Sequence, residues 1–252
     1  MLEPSATIAA IHSLPRTGLQ IASRLGFRRV TLSASQAGLR PRELDRSARR
    51  GLLAELRRLE LHCDAVDLFV PPEHFVLGEF VDRALAAARG ALELASDLGA
   101  SVLFMRLPSE DSEAEALEST RELMAMAEEG GGVRIADVAI EGPAMSAFSS
   151  GRESAIGVGL DTAAWLADGR DPIEGIVTLG EHLAGIRLVD LDETGTRSPV
   201  LPDGRIDLAA LGVALQTGAT PGALVADARG WLHPVAGLEH TLASWRTSCA
   251  HG

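Results

Sequence analysis

Short apolar runs, many of them β-branched, alternate along the chain with longer segments of helical periodicity. The runs are ATIAAI (6–11), RRVTL (28–32), HCDAVDLFV (62–70), SVLFM (101–105), VRIADVAI (133–140), IGVGL (156–160), LAGIRLV (183–189) and ALVA (223–226). Short apolar runs of this kind, bounded by turn residues, read as strands buried on both faces. Between them, apolar residues recur at helical spacing over 42–60, 79–98 and 113–129, and more briefly over 16–25, 172–181, 207–217 and 235–246. Pro172 stands near a helix start and Gly99 just past a helix end, the positions those residues favour. In the 42–60 helix the expected buried stripe is Leu44, Ala48, Leu52, Leu56 and Leu59, ringed by arginines.

Eight strand candidates alternating with helices over 252 residues predict an α/β protein, a single-domain (β/α)8 TIM barrel over 1–252. A doubly wound open sheet would carry a glycine-rich phosphate loop after its first strand. Here that strand runs into HSLPRTG, which is no such loop, and EGGGV (129–133) precedes a strand instead of following one. No repeat points to a solenoid, and no linker divides the chain.

Composition narrows the function classes. With 46% hydrophobic residues the chain can build a large core. No apolar run approaches the roughly 20 residues of a membrane span, and the N-terminal stretch does not read as a secretory leader. Cys63 and Cys249 lie far apart without metal-type spacing and suit a reducing compartment, so a cytoplasmic location is expected. All 23 basic residues are arginine, and the net charge of −12 disfavours nucleic-acid binding. The charge is uneven: residues 16–58 hold 11 arginines and only three acids. The plain reading of that window is a solvated helix face. No GxSxG elbow, P-loop or nucleic-acid module is present.

In a (β/α)8 barrel the chemistry sits at the C-terminal ends of the strands. The polar residues closing the runs are His12, Ser33 and Ser35, Glu73 and His74, Arg106, Glu141, Asp161, Arg187 with Asp190, and Asp227 with Arg229 beyond. Three runs end directly in a carboxylate, as VAIE, VGLD and LVAD. Converging carboxylates need a compensating cation, either a metal or an arginine. Oxygen-rich sites suit Mg²⁺ or Mn²⁺.

VAIEGP, IGVGLDTAAWLADGRDPIEGI and LAGIRLVDLDETGTRSPVLPDGRIDLAAL resemble the strand-5 Glu motif, the DTGH…GxDP segment and the HxHLKD…GEGxIDF segment of the xylose-isomerase-like TIM barrels, the sugar phosphate isomerases and epimerases. The resemblance covers most of the chain and is best over about 133–229. It implies one divalent metal held by Glu, Asp, His and Glu, with two of the acids moving a proton between neighbouring carbons of a hydroxy-carbonyl substrate. Carried over, Glu141 and Asp161 match the first two ligands. The ligand histidine falls on Arg187, and the last glutamate falls on Asp227, one methylene shorter. The substrate-contacting histidine falls on Ala164, and the GEG turn is Pro202, Asp203 and Gly204.

The resemblance therefore implies an isomerase or epimerase acting on a sugar, sugar phosphate or related small polyhydroxy compound, with Glu141 and Asp227 as the acid/base pair. If a metal is held, its ligands are Glu141, Asp161 and Asp227. Against that, a guanidinium has no lone pair to give and brings its own positive charge to the ligand position. For the cofactor the favoured expectation is a metal-free site in which Arg187 pairs with Glu141, Asp161 or Asp227; the alternative to an isomerase or epimerase is then a catalytically degenerate barrel serving as a ligand-binding or partner subunit. The rival keeps the metal on Glu141, Asp161, Asp227 and Asp190 or a histidine, and turns Arg187 towards a substrate anion. His12, His74, Arg106 and Trp165 are further substrate-binding candidates, each weighed against a structural role. A sugar-like small molecule is the expected partner, without nucleic acid or membrane, and homo-oligomer formation is left open.

Overall fold

The computed structural model describes residues 2–108, 113–138, 155–218 and 221–249. The barrel strands are β1 (Ser5–Thr7), β2 (Arg29–Ser33), β3 (His62–Asp67), β4 (Val102–Met105), β5 (Arg134–Asp137), β6 (Ile156–Asp161), β7 (Leu183–Leu188) and β10 (Ala223–Ala226). They close in the order β1-β10-β7-β6-β5-β4-β3-β2, every pair parallel. A two-stranded antiparallel ribbon, β8 (Asp190–Leu191) and β9 (Arg197–Ser198), stands on the β7 side of the mouth. The helices are α1 (Ile8–Ile11), α2 (Pro15–Arg24), α3 (Arg46–Arg58), α4 (Gly78–Leu98), α5 (Glu113–Glu129), α6 (Thr162–Ala167), α7 (Pro172–Leu179), α8 (Leu208–Thr217) and α9 (Pro234–Cys249).

The alternation of runs thus carries the fold, while several boundaries move inward. ATIAAI splits into a three-residue strand and one helical turn, because only Ser5, Ala6 and Thr7 have pairing partners on β10 and β2. HCDAVDLFV ends as a strand at Asp67, not at Val70. In α3 the expected stripe is only half right. Leu52 and Leu56 are buried, Leu44 precedes the helix, and Ala48 is exposed. Strict i, i+4 spacing drifts about 40° per step on a helix of 3.6 residues per turn, so the stripe leaves the core face.

Inside the barrel Ala65, Val102, Phe104, Ala136, Val138, Ala184, Ala223 and Val225 form one buried cluster. Larger side chains fill the layer between strands and helices. The interior is narrowed to small residues around one ring. A Cβ at Gly185 would lie 2.5 Å from Phe104 Cζ, so the glycine is the space into which that ring packs. The far end of β3 carries the partly exposed pair Arg29 to Asp64 at 2.9 Å. Burial pushes the Asp64 carboxyl up, against the pull of Arg29, and pushes the neighbouring Cys63 thiol up to about 12. Among the described residues no helix is long and apolar enough to cross a membrane.

Candidate functional site

Residues two apart on a strand share a face. Ala65 and Phe104 line the barrel interior, and the same parity sends Asp67, at the end of β3, over the mouth. Gly185 and Arg187 on β7, and Val225 on β10 with Asp227 just past its end, follow the same rule. In a ring of eight strands β3 and β7 lie opposite one another. Arg187 spans that distance: its Nη2 donates to Asp67 Oδ1 at 2.5 Å. The guanidinium carbon sits 5.2 Å from the centroid of the Phe104 ring, a cation–π distance.

Asp67 also accepts, through Oδ2, from Arg229 Nη1. Arg229 holds Asp227 with two more bonds, Nε to Oδ1 at 2.7 Å and Nη2 to Oδ2 at 2.6 Å. The planar fork against a planar carboxylate is the geometry at which arginine excels. Arg197 Nη2 reaches the same Asp227 Oδ2 at 3.4 Å, and its Nη1 lies 3.1 and 3.0 Å from the two oxygens of Asp161. Arg187 Nε lies 3.9 Å from Asp227 Oδ2. Three aspartates and three arginines thus alternate across the mouth, and their formal charges cancel.

Burial would push the Asp227 carboxyl up. The guanidinium of Arg229, joined by Arg187 and Arg197, outweighs burial and holds it below the ordinary carboxylate value. Arg229 is in turn held above its ordinary value: its burial works against the charge, and Asp67 and Asp227 more than offset that.

The ribbon exists to deliver Arg197. Asp192 organises its turn by accepting from Thr194 N, Thr194 Oγ1 and Thr196 N. Buried Asp190 holds the returning segment by accepting from Leu191 N, Arg205 N and Ile206 N. A Cβ at Gly204 would lie 2.2 Å from Asp190 Oδ2, so only glycine fits there. Asp190 is therefore spent on backbone amides away from the network.

The structure brings together Arg187, Asp161 and Asp227 of the expected residues. Glu141 lies outside the described residues. The expected partners of Arg187 are corrected in part. Asp227 is near it, but its short pair is with Asp67, and Asp161 is taken by Arg197. Asp161 also caps α6, accepting from Ala164 N at 3.2 Å. His12 Nδ1 accepts from Leu14 N, which fixes its own loop. His74 stacks on Phe80 with ring centroids 4.5 Å apart. Arg106 is exposed just beyond β4. Trp165 packs against Gly175 on α7, with the Arg170 guanidinium 4.1 Å from its ring. Among the described residues no hydrogen bond or ion pair joins His12, His74, Arg106 or Trp165 to the network.

Asp67 and Arg197 are the members that sequence reasoning misses. A signal for Asp67 existed: it closes the alternating pattern Cys63, Ala65, Asp67, but reading the strand on to Val70 moved the strand end to Glu73 and His74. Arg197 has no local signal, since its place depends on the ribbon.

These residues do not fit a divalent metal. The oxygens of Asp161 and Asp227 face guanidinium N–H groups, and Arg187 lies between opposite walls. Among the described residues no group of three or more His, Cys, Asp or Glu could hold a metal ion.

No protein-family model and no curated protein matches the chain. Solved structures do. An L-ribulose 3-epimerase superposes with a TM-score of 0.75 at 15% identity, covering 100% of this chain and 95% of its own. A D-psicose 3-epimerase from Clostridium cellulolyticum H10, solved with D-tagatose, gives 0.70 at 16% identity, covering 97% and 98%. A xylose isomerase-like TIM barrel protein from Mycobacterium smegmatis, solved in complex with magnesium, gives 0.67 at 16% identity, covering 99% and 98%. At such identities the likeness is one of fold: the closed eight-stranded α/β barrel of this chain is an architecture shared with these structures.

Proposed function

We propose that this chain, a barrel of xylose-isomerase-like fold, binds a small polyhydroxy or hydroxy-carbonyl compound at its C-terminal mouth without a divalent metal, Arg187 supplying the cation. The ion pair from Arg187 on β7 to Asp67 on the opposite β3 is the observation that carries this reading. A polyol needs donors and acceptors side by side, and the mouth offers both. Arg197 and Arg229 are about a third exposed at the rim, with side-chain accessibilities of 32% and 37%. Among the described residues Arg187 Nη1 has no acceptor, so a ligand hydroxyl or carbonyl oxygen can take one there. The buried Cys63 thiol is in keeping with a reducing, cytoplasmic setting.

Isomerase or epimerase chemistry on the same class of compound is the second reading, favoured by the fold shared with an L-ribulose 3-epimerase. It requires a base. Asp227 is poorly suited, since three guanidinium groups lower its affinity for a proton, and both oxygens of Asp67 are engaged. Glu141 is the remaining candidate from the sequence.

Elemental analysis of purified protein and thermal melts with Mn²⁺ and with EDTA test the first reading. No bound ion and no change in melting are expected, and one equivalent of retained Mn²⁺ or Mg²⁺ would overturn it. A melting panel of neutral sugars, sugar acids and sugar phosphates tests the ligand class. At least one member should raise the melting temperature, and should lose that effect in Arg187→Met. A flat panel refutes binding. Exchange of substrate carbon-bound hydrogen into solvent, abolished in Glu141→Gln, would establish the second reading.

A further inference from the structure

The six charged groups of the mouth come from β3, β6, β7, β10 and the ribbon; β1 and β2, which stand between β10 and β3 in the ring, supply none of them. The wall there is built otherwise. Gln36, beyond β2, donates from Nε2 to the carbonyls of His12 at 2.9 Å and Ser13 at 3.1 Å, binding the loop after β1 to the loop after β2. Ser35 Oγ accepts from Phe69 N at 3.0 Å and donates to Phe69 O at 3.4 Å, binding the loop after β2 to the end of β3. On this tied arc two large apolar side chains stand in water: Phe69, 75% exposed, and Leu14, 61% exposed. Apolar residues exposed singly are ordinary. Phe69 differs in its placement. Backbone pairing continues past β3, since the carbonyl of Asp67 accepts from Ala34 N and Leu68 N donates to Phe104 O. Leu68 is buried in the layer beneath the helices, so alternation turns Phe69 to the opposite face, the face of Asp67. Two residues of extended chain carry it about 7 Å further out.

We propose that the compound taken at the mouth joins its polyhydroxy part to a flat apolar group, as an aryl glycoside does, and that Phe69 receives that group, with Leu14 on the same arc. The inference rests on the binding reading above and narrows its ligand class. Asp67 and Arg187 are only 3% and 14% exposed, so what reaches the open Nη1 of Arg187 is slender and polar. Two residues further out the same wall changes from carboxylate to benzyl. A ligand whose hydroxyls meet the guanidinium therefore lays its outer end against the Phe69 ring. A bare sugar leaves that ring in water, whereas an aryl group covers it in an offset stack and takes apolar surface of both out of water. Ser35 holds the backbone of Phe69 at both its N–H and its C=O, so the ring is presented without a loop to order on binding.

Titration calorimetry of the full chain with matched methyl and phenyl glycosides of the common hexoses and pentoses tests this. A phenyl member should bind at least about tenfold more tightly than its methyl counterpart, equivalent to about 1.4 kcal/mol and within the reach of one aromatic pair with its burial. Phe69→Ser should bring phenyl affinity down to the methyl level, and Leu14→Ser should remove a smaller part of the advantage. Melts of the unliganded variants should match wild type, because both side chains are exposed. Methyl and phenyl members bound equally, or a phenyl preference that survives Phe69→Ser, overturns the inference and leaves the binding reading in place. An octyl glycoside that outbinds the phenyl member overturns the flat group. If no glycoside binds, the binding reading falls and this inference with it. A wild-type dimer in sedimentation velocity that Phe69→Ser turns into a monomer means that a second copy covers the ring, and overturns the proposal too.

Discussion

Replacing Arg187 with methionine tests the cross-barrel ion pair. The side chain is 14% exposed and its partner Asp67 only 3%. Removing one member of a buried pair costs about 3–5 kcal/mol, chiefly because the other charge is left in low dielectric. Asp67 keeps its second arginine, Arg229, so the expected loss is nearer about 2–3 kcal/mol. Methionine retains an unbranched stem and a sulfur against the Phe104 ring, which limits the cavity term. In a chain of 252 residues such a loss lowers Tm by about 4–12 °C. Urea unfolding of Arg187→Met, Asp67→Asn and the double variant gives the coupling. The double variant should be more stable than the sum of the singles allows, by about 1–3 kcal/mol. Additivity within about 0.5 kcal/mol would refute the contact and, with it, the idea that Arg187 fills the cationic position.

Asp227 has its carboxyl pKa depressed in the folded state, so its contribution is present above the unfolded value of about 3.9 and is lost as pH falls through the folded value. The stability difference between wild type and Asp227→Asn should stay level from pH 7 to about 4 and shrink below that; a difference that already fades between pH 7 and 5 contradicts the assignment. Cys63, buried and with its thiol pushed up to about 12, should resist alkylation at pH 8 in the native protein and react only after unfolding, as mass spectrometry of iodoacetamide-treated samples would show. Gly185→Ala should destabilise by about 1–3 kcal/mol through overpacking against Phe104, and Phe104→Leu in the same chain should recover part of it, both read from thermal melts.

The pattern of apolar runs was enough for the architecture. A parallel strand buried on both faces has to read as a continuous apolar stretch, and eight of these separated by amphipathic segments leave few closed solutions. The carboxylates that end β6 and follow β10, Asp161 and Asp227, were legible for the same reason: the residue that closes an apolar run in a barrel stands at the mouth. Asp67 was within reach, lost only because LFV continues the apolar run after the strand has stopped pairing. Trp165, one helical turn after a strand-end acid, could floor a site or pack beneath its loop by sequence alone; in the structure its ring packs against Gly175. What no local pattern could supply was pairing. Arg187 and Asp67 are 120 residues apart, and Arg229 reaches Asp67 over 162. Which carboxylate each guanidinium meets depends on barrel closure, on the opposition of β3 and β7, and on a ribbon that carries Arg197 inward. Strand identity is written in short-range alternation. The balance of charge at the mouth is a long-range property, and only the closed barrel decides it.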